Sequence, residues 1–341
     1  MSSVGRRLRR AVWVGFVGAA LTGLLTTGAA AAVPVGHGSD RATPVARTDV
    51  HIRDVAADTG VQPHSLDPLW ASPDIKVCPT AVECAVSQNP VVGATNYIFV
   101  KLRNPGPSGS GSVNGVLQVY RTTPGGGAVW PIHWTRIGAA SVAAAPGVTT
   151  VTIPWKGVPG PGHFCLLARW VSNSDPMTVE GPDISTNTRS NNNIAWRNVD
   201  SVQLTPGAGP TVRPFAIGNS LTVPSRNEVL FVAAEPLQNI GGRVVVDLGQ
   251  ELFERWRAGG AVGTGVRPIG RTQVEIVDTT WASLGNLLLQ PGERAQFSLI
   301  FTAQAESDGE MCLAVVQLGP DSSGTMSDLG GVQYLITSLK E

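Results

Sequence analysis

The sequence predicts an all-β chain, built as two β-sandwich domains in tandem behind an N-terminal arm. Three observations carry this. Short runs of alternating or continuous apolar residues recur along the chain between turn residues. Glycine (40) and proline (25) are abundant while hydrophobic content stays at 42%, which suits short strands joined by turns rather than a disordered chain. A similar strand also appears in each half, PGPGHFCLLARW and ESDGEMCLAVVQ, as in a diverged repeat.

Residues 1–32 read as a signal peptide. Arg6, Arg7, Arg9 and Arg10 form a basic start, and the apolar run of residues 11–32 ends in small residues that suit cleavage near Ala30 to Ala32. Export follows, with a secreted, extracellular location. The chain has 25 basic and 25 acidic residues, so losing those four arginines leaves the mature protein near −4. It has no basic stripe to bind nucleic acid. No second apolar stretch is long enough to span a membrane after cleavage.

Residues 33–70 read as a linker and arm, with an edge strand expected at residues 50–53. The first sandwich is expected over residues 71–204. Its strands fall at 74–77, 96–103 (NYIFVKLR), 115–120 (GVLQVY), 149–154 and 164–171 (FCLLARWV), with the last across 191–202. Seven or so short strands of this kind point to the immunoglobulin-like type of sandwich. The run LTPGAGPTVRP reads as an interdomain linker, and a second sandwich follows over residues 205–341. Its strands are expected at 216–223, 228–234, 243–248, 273–276, 295–303, 312–317 and 331–337. Between them QELFERWRA reads as a helix, because Leu252, Phe253 and Trp256 share one face.

Of the four cysteines, Cys78 and Cys84 close a small loop and are expected to form a disulfide. Cys165 and Cys312 fall in the repeated apolar strands and read as free buried thiols.

Residues 49–204 resemble a recurring module of secreted actinobacterial proteins. The motifs are IRD with ADTG, W-x-SPDI, QNP with TNYIFVKLRN, PGHFCLLARW and TRSNNNIAWRN. Both halves also resemble adhesion-type (CARDB-like) immunoglobulin-like domains of the sort appended to bacterial proteases, glycosidases and surface proteins. The resemblance implies a spacer or a binding module for a ligand or a neighbouring domain, and no specific activity.

Candidate binding residues follow from residue type. Trp130 and Trp134 in WPIHW, with Trp155 beyond, could form an apolar platform for a sugar ring. Asn192, Trp196 and Arg197 in the asparagine-rich run could contact a glycan or peptide; the plainer expectation there is a hydrogen-bonded loop entering a strand. Asp175, Glu180 and Asp183 are the residues best suited to calcium, with a solvated loop as the plainer expectation, and no other cofactor is expected. Nucleophilic catalysis has no support: there is no G-x-S-x-G turn, and His163 near Cys165 sits in an apolar run. The chain is therefore expected to be a non-catalytic secreted binding or scaffolding protein of the cell exterior, with an extracellular glycan or protein as partner. The alternatives are a polysaccharide-binding or hydrolase-accessory protein, and a secreted hydrolase with an unrecognised site.

Overall fold

The computed structural model describes residues 48–160, 163–305 and 307–338. The expected signal peptide, and the linker up to residue 47, lie outside them. Over the described residues the protein is almost all β, with four sheets arranged as two domain-like units.

The first unit contains β1 (Ile75–Cys78), β2 (Asn96–Asn104), β3 (Val113–Thr122), β4 (Thr135–Ala144), β5 (Gly147–Trp155), β6 (Cys165–Val171), α1 (Ile184–Ser190) and β7 (Ile194–Arg197). A three-stranded sheet in the order β1-β2-β5 faces a four-stranded sheet in the order β4-β3-β6-β7. Period-two patterning sends Ile98, Val100 and Leu102 of β2 inward against Leu117 and Val119 of β3 and Leu166, Ala168 and Trp170 of β6. Gly115 makes room for this core, since a Cβ there would lie 2.5 Å from the Trp170 ring.

The arm docks on this unit by burying Val50 and Ile52 in its core and through charge and hydrogen bonds. Buried Asp74 receives Arg53 Nη2 at 2.8 Å and Arg103 Nε at 2.8 Å. The edge strand expected at residues 50–53 is reduced to one bridge, His51 with Arg103. Arg53 turns instead to Asp74, so pairing stops there.

The second unit holds β9 (Thr211–Gly218), β10 (Ser225–Ala233), β11 (Gly242–Asp247), α2 (Gly249–Ala258), β12 (Gly263–Thr264), β13 (Val266–Ile269), β14 (Gln273–Ile276), β15 (Ala282–Leu289), β16 (Arg294–Ala303), β17 (Gly309–Pro320) and β18 (Met326–Ser338). Its five-stranded sheet runs β13-β14-β11-β16-β9. Its six-stranded sheet runs β12-β15-β10-β17-β18, and β8 (Val199–Leu204) completes it. Helix α2 buries Leu252, Phe253 and Trp256, the face expected from their spacing.

Two boundaries differ from the sequence expectation. The strand expected to close the first domain across residues 191–202 is two strands. β7 pairs with β6, whereas β8 pairs in parallel with β18 of the second unit. Asn198 makes the switch: its amide donates to Gly331 O at 2.6 Å, and its own carbonyl accepts from Gln333 N at 3.0 Å. The run expected as a linker also enters a sheet directly, because Thr211 already pairs with Phe301.

Candidate functional site

The most distinctive feature is a seam of apolar side chains between the two units. Leu69, Trp70, Trp134, Leu167, Ile184 and Trp196 form a separate core, against which Ala314 and Val316 of β17 pack. Strand β6 explains it. Leu166, Ala168 and Trp170 point into the first sandwich, while Cys165 and Leu167 point outward into the seam. A strand apolar on both faces is one buried on both faces. The Trp134 and Trp196 rings lie 6.4 Å apart, and Trp70 Nε1 reaches across to Asp328 Oδ2 at 3.2 Å.

Backbone contacts close the seam. The PGGG loop after β3 lies against β9: Ala216 N donates to Pro124 O at 2.8 Å, and Gly126 N donates to Ala216 O at 2.9 Å. Gly127 has φ +60°, and a Cβ there would lie 2.3 Å from Gly218 O, so only glycine fits this approach. Within the second unit, the Gln317 side chain holds Gly218 in place behind this contact, accepting from its N at 3.0 Å and donating to its O at 2.7 Å. Arg294 Nη2 donates to Thr123 O at 2.7 Å.

The residues expected to bind ligand do not form one surface. Trp134 and Trp196 are brought together, but at 7% and 0% exposure they lie inside the seam. This corrects the platform expectation for both: the sheet faces that could have met a sugar meet each other. Trp155 is likewise interior, edge-on to Phe164. Trp130 is half-buried, edge-on to Tyr120 at 5.0 Å, with the Arg169 guanidinium over its ring at 5.4 Å. Asn192 is buried and donates to Asp49 Oδ1 and Gly60 O, which removes it as a surface contact. Arg197 donates to Ser72 O, and burial pulls its pKa down to about 10.

The asparagine-rich run is mostly a backbone splint. Part of the expected loop is the short helix α1, capped by Asp183, whose Oδ1 accepts from Ser185 N at 2.9 Å. The Asn191 side chain alone bonds Thr178 N, Val179 N, Val179 O and Asn187 O.

The three acidic residues expected for calcium are engaged separately. Asp175 accepts from Val50 N at 2.8 Å, Glu180 pairs with Arg169, and Asp183 caps α1. Among the described residues they do not gather as a donor set. Burial pushes Asp175 up to about 6.

Among the described residues, burial and the charge of Arg294 are what act on the Cys165 thiol. It is pushed up to about 12 by burial, and His163 Nδ1 faces Asp200 Oδ2 at 2.7 Å instead. His163, Arg197 and Asp200, with Trp155, Phe164 and Leu166, line a small, partly open cavity of about 20 Å³, room for a single water. Cys312 is partly buried rather than sealed, and accepts from Gln333 Nε2. Cys78 and Cys84 form the expected disulfide, with sulfurs 2.01 Å apart. On the outer face of the four-stranded sheet, Val116, Ser141, Ala143 and Val171 line a shallow open hollow of about 550 Å³. Among the described residues no helix is long and apolar enough to cross a membrane.

No family model matches the sequence, and no curated protein does. Among solved structures, the chain is similar to the CupB6 tip adhesin from Pseudomonas aeruginosa at 10% identity and a TM-score of 0.22, over 78% of this chain and 98% of that one. It is similar to the collagen adhesin from S. aureus at 9% identity and a TM-score of 0.23, over 78% and 92%. The N-terminal domain of PorA matches at 15% identity and a TM-score of 0.22, over 42% and 89%. Likenesses at this level carry no argument about topology or ligand. The actinobacterial, CARDB-like resemblance therefore rests on its sequence motifs alone.

Proposed function

We propose that this chain is a non-catalytic secreted scaffolding or binding protein of the cell exterior, whose two sandwich units act as one piece. The observation that carries the reading is the seam. Trp70, Trp134 and Trp196 are used to join the units, which is work a spacer or presenting scaffold needs and a sugar platform does not. The exposed sheet faces, including the hollow beside Val116 and Val171, are then the surfaces offered to a partner.

A second reading, polysaccharide binding, is favoured by one residue. Trp130 keeps part of its ring at the surface beside Arg169.

Two measurements on the purified mature protein decide between them. Limited proteolysis under the scaffold reading gives one resistant fragment spanning both units. Early cleavage within residues 205–210 would refute it. Sedimentation with insoluble cell walls, chitin and cellulose reads the alternative. Saturable depletion by one polymer, lost in Trp130→Ala, supports polysaccharide binding; no depletion refutes it for those polymers.

A further inference from the structure

We propose that Asp54, Asp58 and His64, in the arm, form a binding site for a divalent transition cation of the zinc class. One donor atom from each residue lies within 4.8 Å of the other two. Two ligands on a single tetrahedral zinc, with bonds of about 2 Å, stand roughly 3.3 Å apart. The loop therefore closes by no more than about 1.5 Å on loading, and His64 Nε2 already lies 2.9 Å from Asp54 Oδ2.

The second observation is independent of this spacing. Asp54 is 1% exposed, and its Oδ1 is buried with no hydrogen-bond partner. A buried carboxylate oxygen left without a donor is costly, and a cation relieves it. His51, whose ring packs where a Cβ on Gly60 would fall, has its Nδ1 buried and likewise unpartnered. Asp58 is held ready. Its Oδ2 accepts from Asp54 N at 2.9 Å and its Oδ1 from Gly60 N at 2.8 Å, which fixes the carboxylate while leaving lone pairs on both oxygens.

The donor set selects the cation. One imidazole nitrogen with two carboxylates suits zinc-class ions. Calcium, which takes six to eight oxygens, is a poor fit. Nearby Arg189 is balanced by Asp67 at 2.7 Å. Leu66 N donates to His64 Nδ1 at 3.2 Å, so the free ring carries its proton on Nε2. Loading leaves the ring neutral. Its proton is exchanged through solvent from Nε2 to Nδ1, and the Leu66 bond is given up. The cation then clips the loop of residues 54–64, which has no strand or helix of its own.

The test uses the mature protein after chelator treatment and dialysis. Zinc titration followed by calorimetry and elemental analysis is expected to give one ion per chain with a submicromolar Kd. Cobalt(II) is expected to give visible d–d bands of a four- or five-coordinate site. Asp54→Asn and His64→Gln are each expected to weaken zinc binding at least tenfold, while Glu180→Gln leaves it unchanged. Wild-type protein that retains no zinc and shows no cobalt bands overturns the proposal, whatever the variants do. Undiminished zinc binding by a folded His64→Gln variant also overturns it.

Discussion

Replacing Asp328 with asparagine isolates one half-buried carboxyl at the seam. Asp328 accepts from Gly330 N at 2.7 Å and from Trp70 Nε1 at 3.2 Å. Burial first, and the charge of Asp67 second, push its pKa up from 3.8 to about 7. The native state then holds this proton more tightly than the unfolded chain does. Its contribution to stability is complete below about pH 4 and is lost as pH rises to about 7. A shift of about three units, at 1.36 kcal/mol each, sets a limit of about 4 kcal/mol. Roughly 2–3 kcal/mol of that falls between pH 5 and 8. Asparagine keeps Oδ1, which accepts from Gly330 N at 2.7 Å and from Trp70 Nε1 at 3.4 Å, and does not titrate. Urea unfolding followed by tryptophan fluorescence should therefore show the wild type losing roughly 2–3 kcal/mol relative to Asp328→Asn over that range. Asp54 and Asp175 titrate in both proteins and cancel in the difference. Parallel stability curves for the two proteins would refute the reasoning.

Trp196→Ala should cost about 3–5 kcal/mol in the same unfolding assay, toward the lower end because the buried indole N–H it removes has no acceptor. Gly127→Ala should lower stability by more than about 1 kcal/mol and speed proteolysis near residues 205–210, because its Cβ would meet Gly218 O. Reducing Cys78–Cys84 should cost only about 2 kcal/mol, since the cysteines are six residues apart; a much larger loss would mean the loop does more than close on itself. Thiol titration with an aromatic disulfide should leave Cys165 unmodified until the protein is denatured, and reaction in the native state would contradict its burial.

Much of the fold is legible where one face of an element is wet. The alternation in NYIFVKLRN and the spacing of Leu252, Phe253 and Trp256 are visible because a half-buried element must alternate. β15 was not expected from the sequence. ASLGNLLL does not alternate, and Asn286 within it has φ +60°. The tryptophans misled for a related reason. Periodicity says that Trp196 leaves the inner face of its sheet, and it cannot say whether water or another sheet lies there. The available signal was the continuous apolar run FCLLARWV, which fits burial on both faces better than a strand with a wet side. The Asp54, Asp58 and His64 grouping was hidden because a loop without regular structure gives no period to count.

Parallel pairing of β8 with β18 also sets an order of events. Val199 finds its partner at Gln333, so a strand made midway through synthesis has no sheet to join until the second unit's last strand exists. Until then Trp70 and Trp196 lack the Gly330–Gly331 backbone that covers them. Contacts between such distant segments form late and leave apolar surface open meanwhile. The fold cannot lock until β18 is in place. The same dependence makes loss of β18 damaging to the first unit as well as the second, and exposes a sticky tryptophan face for quality-control proteases to find.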